Sequence, residues 1–168
     1  MRSLAILKWV AAILLVAPML HAAEEAEPLP VEKRVTMIRA SDPEIVAARQ
    51  KARDTIDEFK RRLAEPPATQ TDILLKAAFT DGENTEHMWL VDVKTTANGF
   101  RGELVSTPVD LAEPKHGDIV EVTLAQVSDW YAIDDGWIVG GYTLRVMRER
   151  KPPAERAEYD EMIGGKFH

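Results

Sequence analysis

Glu86-His87-Met88-Trp89-Leu90-Val91-Asp92-Val93-Lys94, followed by Asn98-Gly99-Phe100-Arg101-Gly102-Glu103-Leu104, carries the pattern of two adjacent strands. Large apolar residues recur at a spacing of two, the period of a strand with one face buried. Asn98-Gly99 lies between the runs and favours a tight hairpin, because both residues tolerate positive φ. The same texture begins at Thr71 and is punctuated by Asp81-Gly82, Gly117-Asp118 and Asp135-Gly136. Strands are therefore expected near Ile73 to Phe79, His87 to Lys94, Gly99 to Ser106, Ile119 to Leu124, Trp130 to Ile133 and Trp137 to Val139. Asp134-Asp135-Gly136 marks a second hairpin.

Working outward, Ser41-Asp42-Pro43-Glu44 reads as a helix start, with Ser41 as cap, Pro43 in the first turn and Glu44 returning a bond. Ile45, Ala48, Ala52, Ile56, Phe59 and Leu63 form one apolar stripe, which predicts a helix running to about Ala64. Pro66-Pro67 ends it, since proline lacks an amide hydrogen and restricts the residue before it. After Gly140-Gly141, the segment Tyr142 to Arg150 fits strand or helix; the spacing of Leu144, Met147 and Arg148 favours helix. Pro152-Pro153 opens a last helix that ends at Gly164-Gly165. The expected class is α+β: a long N-terminal helix packed on a curved antiparallel sheet of five or six strands, with one or two short C-terminal helices.

Arg2 and Lys8 precede an apolar run from Trp9 to Leu20 and a small-residue exit at His21-Ala22-Ala23, the pattern of a secretory signal peptide cleaved after Ala22 or Ala23. The organisation expected is signal peptide at 1–23, an acidic, proline-containing leader at 24–40, one globular domain at 41–163 and a tail at 164–168. Localisation is then periplasmic or secreted, with membrane contact only through the signal during export. Losing Arg2 and Lys8 takes the formal charge from -7 to -9. That surface repels phosphate backbones, so nucleic acid is not an expected partner. The chain has no cysteine, so no disulfide or thiolate chemistry is open to it and stability must come from packing.

Glu86-His87-Met88-Trp89, Asn98-Gly99-Phe100, Gly117-Asp118, Val127-Ser128-Asp129-Trp130 and Gly140-Gly141-Tyr142-Thr143-Leu144-Arg145-Val146 together resemble the bacterial YegJ-like family, domain of unknown function 2314. The resemblance covers about Asp42 to Tyr159. It implies no activity, cofactor or catalytic residue. Related small domains with a similar Asp-Trp and Gly-Gly pattern have been proposed as toxin-neutralising immunity proteins, and export would suit a toxin acting in the envelope.

Among individual residues, Glu86-His87 pairs a carboxylate with an imidazole, but strand neighbours point to opposite faces. His87 shares the face of Trp89, Val91 and Val93, which fits a histidine at the core's edge. His116 and His168 lack metal-ligand spacing. Asp134-Asp135 reads as a turn, since the ligand series of a calcium loop is missing. Ser106 and Ser128 lack a nucleophile elbow, and Ser128-Asp129 reads as a local side-chain-to-backbone turn. Gly140-Gly141 permits a sharp strand exit, around which Trp130, Trp137 and Tyr142 can gather as an aromatic shelf. Asp129 and Arg145 are either polar neighbours of that shelf or an internal salt bridge. No cofactor, metal or catalytic set is expected. The leading expectation is an exported, non-catalytic protein-binding domain that uses Trp130, Tyr142, Asp129, Trp137, Arg145 and His87. The alternatives are a small envelope hydrolase using His87 with Asp129 or Glu86, and a structural envelope protein.

Overall fold

The computed structural model describes residues 42–168. The expected signal peptide, the leader and Ser41 lie outside that range. The elements are α1 (Pro43–Asp54), α2 (Ile56–Ala64), β1 (Gln70–Thr80), β2 (Thr85–Thr95), β3 (Gly99–Leu104), β4 (Ile119–Thr123), β5 (Val127–Asp134), β6 (Trp137–Gly140), α3 (Tyr142–Glu149) and α4 (Arg156–Ile163). The six strands form one sheet in the order β4-β3-β2-β1-β5-β6, antiparallel throughout. The class is α+β, and all six expected strands are present.

Helix α1 is capped by Asp42, one residue after the expected Ser41. Its carboxylate accepts from the Glu44 and Ile45 amides at 3.1 and 3.3 Å. Arg150, just beyond α3, reaches the same carboxylate at 2.8 Å and so ties the two helices together. The single long helix expected up to Ala64 is corrected to two helices that meet at Thr55. In an unbroken helix the Ala52 carbonyl would accept from the Ile56 amide. Here it accepts from Trp130 Nε1 at 3.2 Å and from the Thr55 hydroxyl at 3.3 Å. Trp130 Nε1 also donates to Thr55 Oγ1 at 3.1 Å. A side chain from β5 has entered the helical ladder, a recognised cause of a break.

Strand alternation divides the core in two. One face of the sheet packs Leu75, Ala77, Met88, Leu90, Phe100 and Trp130 against Ala52 and Phe59 of the first two helices. Phe59 meets Phe100 edge-on at 5.3 Å and Trp130 at 5.6 Å. Ile133 and Ile138 pack with Leu144, Tyr159 and Phe167 in a second cluster, which Trp89 and Tyr131 join. The expected tail belongs to this cluster: Phe167 is buried, and Lys166 bridges β6 in parallel at Trp137.

Both expected hairpins form, one for a different reason than expected. At Asp135-Gly136 both φ are positive, 50° and 77°, as a two-residue turn between right-twisted strands requires. At Asn98-Gly99 neither is positive. Glycine is needed there because a Cβ would sit 2.1 Å from the Val122 carbonyl of β4. The register between β1 and β5 slips twice, first between Gln70 and Asp72 and again from Lys76–Asp129 to Ala77–Val127; the second slip leaves Ser128 as the extra residue of a bulge.

Candidate functional site

The six residues expected to form one surface do not. Trp130 is wholly buried, its indole held between Phe59 and the α1–α2 break, so it cannot face a partner. Tyr142 is half-buried and packs edge-on against Trp130 at 6.1 Å. Trp137 is apart from both and 37% exposed, stacked on His168 at 4.1 Å. The aromatic shelf is therefore corrected to a core pair and a separate surface tryptophan. The cause is distance along the strand: the Asp135-Gly136 turn returns Trp137 opposite Asp134, four residues along β5 from Trp130.

Asp129 and Arg145 form no ion pair with each other. Asp129 is wholly buried and accepts from the amides of Trp130, Tyr142 and Thr143 at 2.9, 3.0 and 2.8 Å, and from the Thr143 hydroxyl. It thus holds the N-terminus of α3, where Gly141 has no side chain to cap with. Burial raises its pKa, opposed by these hydrogen bonds. Arg145 donates instead to the carbonyls of Gly140 and Ile138 at 2.9 and 2.7 Å.

Glu86 is committed as well. Its carboxylate accepts from the amides of Val109, Asp110 and Leu111 at 3.0, 2.6 and 2.9 Å. Burial opposes its ionisation, but the three amides prevail and hold its pKa below the usual range. His87 projects to the other face, beside Arg49 and Lys76. Burial first, then those two cations, pull its pKa down to about 4, so the ring is neutral near pH 7. Neither carboxylate proposed for a hydrolase is available to it. Among the described residues no group of three or more His, Asp or Glu side chains could hold a metal ion.

The structure does assemble a set that the sequence did not announce. β6 pairs only with the second half of β5, and α1 lies against the first half: Arg53 Nη1 donates to the Val127 carbonyl at 3.1 Å. Between them is a cavity of about 240 Å³, lined by Val46, Arg49 and Arg53 of α1, Ala78 of β1, His87 of β2, Gln126 and the bulged Ser128. At this cavity Val46 is 46% exposed and Leu124, next to the lining residue Ala125, is 42% exposed. Arg49, Arg53 and Lys76 form no salt bridge among the described residues. Arg49 and Arg53 were legible only as like charges four apart on one helix, the arrangement that repels rather than pairs. A second, larger concavity of about 630 Å³ lies over β1 to β3, where Asp72, Asp92 and Glu103 mingle with Lys94 and Arg101.

The family model described as "Uncharacterized protein conserved in bacteria (DUF2314)" matches residues 42–167. A putative ankyrin repeat protein of Neisseria meningitidis serogroup B is 34% identical over 87 residues, 52% of this chain and 34% of that protein. The uncharacterized protein YegJ of Escherichia coli K12 is 31% identical over 84 residues, 50% of this chain and 55% of YegJ. The match thus spans about a third of the one relative and about half of the other. No solved structure matches the chain. The chain belongs to the DUF2314 family, as its motifs implied.

Proposed function

We propose that this DUF2314 domain is a non-catalytic binding protein of the bacterial envelope, with a protein as its partner. One observation carries the reading: the carboxylates that a hydrolase would need are committed to the fold, while a cationic cavity with an apolar rim stays accessible. Asp129 anchors α3 and Glu86 anchors the segment at Val109–Leu111, leaving His87 among cations. Unpaired cations beside exposed Val46 and Leu124 offer a partner both charge and apolar area. The surface thus moves from Trp130–Tyr142 to the flank of α1. Passage out of the cytoplasm is supported by Arg2, Lys8 and the apolar run Trp9 to Leu20.

Capture from envelope extract tests this, with immobilised wild type compared with a Val46→Asp, Arg49→Glu double variant of matched melting temperature. A protein held by wild type and released by the variant is the expected result. Equal retention by both would remove this surface, and no retained protein would remove the protein-partner reading.

A further inference from the structure

Two shielded polar atoms form no hydrogen bond among the described residues, and both belong to residues lining the α1–β5 cavity: His87 Nδ1 and Ser128 Oγ. Ser128 is only 2% exposed. Buried hydroxyls and imidazoles are satisfied in nearly all folded proteins, so two orphans at one cavity point to something that enters it. The bulge puts Ser128 there, since a regular ladder would give this position a partner on β1.

Charge identifies the visitor. Arg49 and Arg53 line the cavity from α1, and Lys76 of β1 acts on His87 from the same side. Arg53 spends one guanidinium nitrogen on the Val127 carbonyl and another on Gln50. Arg49 makes no side-chain hydrogen bond among the described residues. The nearby carboxylate of Asp129 faces α3 and is already filled with donors. Cations gathered around neutral donors, within a chain of net charge -7, form a local reversal of sign. The cavity's roughly 240 Å³ exceeds a water molecule's share of the liquid, about 30 Å³, several-fold.

We infer that this cavity is a binding site for a compact oxyanion, a carboxylate or phosphate group, held by the Arg49 and Arg53 guanidiniums with Ser128 Oγ and His87 Nδ1 as donors. The inference rests on the binding-protein reading for its biological setting only. The anion is either free or carried on the partner, and its chemistry is the same in both cases. Guanidinium supplies the paired donors that an oxyanion's oxygens accept, and the hydroxyl and the ring nitrogen complete the shell. A bound anion also favours the imidazolium, so it opposes what Arg49 and Lys76 do to His87.

The test follows the His87 ring by NMR from pH 3 to 8 at constant ionic strength, in chloride alone and then with added acetate or inorganic phosphate. The titration midpoint of His87 is expected to rise from about 4 by about one pH unit or more with acetate or phosphate. A shift with acetate identifies a carboxylate site, and because acetate is itself partly protonated near the His87 midpoint, phosphate decides a negative result. Arg49→Gln, on the accessible flank of α1, should weaken that anion at least tenfold, and Ser128→Ala should do the same if it folds. A midpoint that neither anion moves beyond its value in chloride overturns the inference and assigns both orphan atoms to water. An effect that survives Arg49→Gln at full strength overturns the assigned site. The capture experiment is independent: a partner retained without any anion effect removes this inference alone, and an anion effect without a partner removes only the protein-partner reading.

Discussion

Replacing Asp129 with alanine removes the acceptor shared by four donors and should be among the most damaging single changes in the domain. The Trp130 and Thr143 amides and the Thr143 hydroxyl are buried with it, and the Tyr142 amide is partly so. A buried donor without an acceptor costs about 1–3 kcal/mol, so two such amides alone amount to roughly 2–6 kcal/mol. Relief of the buried carboxylate's own desolvation offsets part of this, and water entering the space offsets more. The expected net loss is about 3 kcal/mol. Asp129→Asn keeps the volume and one carbonyl oxygen but presents an NH2 to donors, and should lose about half as much. Asp54→Ala is the control: Asp54 is exposed and bonds only Gln50, so its loss should stay within about 0.5 kcal/mol. Urea unfolding at pH 7, with m-values compared to exclude a changed transition, measures all three. An Asp129→Ala variant within 1 kcal/mol of wild type, or an Asn variant as damaged as the Ala one, refutes the capping role.

Two further perturbations follow from the same geometry. His87 has its folded pKa lowered from 6.5 to about 4, so the unfolded chain binds the proton more readily. Its contribution is present above about pH 6.5 and is lost as pH falls toward 4; the full gap corresponds to about 3 kcal/mol, which solvent around the part-exposed ring screens to about 2 kcal/mol. Denaturant midpoints measured in chloride should show this limb in wild type and lack it in His87→Gln. Trp130→Phe removes the indole donor at the α1–α2 break, which leaves the Thr55 hydroxyl as the one remaining competitor of the Ile56 amide for the Ala52 carbonyl. Stability should fall by about 1–3 kcal/mol, while hydrogen exchange at Ile56 slows; faster exchange there would contradict the stated cause of the break.

Most of the sheet was legible because half-buried strands write their period into the sequence. The runs around Trp89 and Phe100 fixed pairing, and Asp135-Gly136 fixed a turn, through local chemistry alone. What failed depended on contacts distant in sequence. Nothing near Thr55 signals a helix break, since the group that causes it, the Trp130 indole, is 75 positions away. Trp130, Asp129 and Arg145 have the composition of a binding surface, yet the fold uses all three internally, as wedge, helix anchor and carbonyl clamp. Gly99 was read as a turn residue for its tolerance of positive φ, but it opens β3 and is required by the close approach of β4, which a hairpin signal does not contain. The cavity was least legible of all, because it depends on a one-residue bulge at Ser128 and on the shortness of β6.

Site-specific photo-crosslinking in intact cells tests the proposed binding function most directly, with the crosslinker at Val46 beside the cavity and, for comparison, at Asp57 on the exposed face of α2. A single protein adduct formed from position 46, absent from position 57 and lost when Arg49→Glu is added, is the result expected of a binding surface on the flank of α1. Equal adducts from both positions, or an adduct from 46 that Arg49→Glu leaves intact, would contradict it.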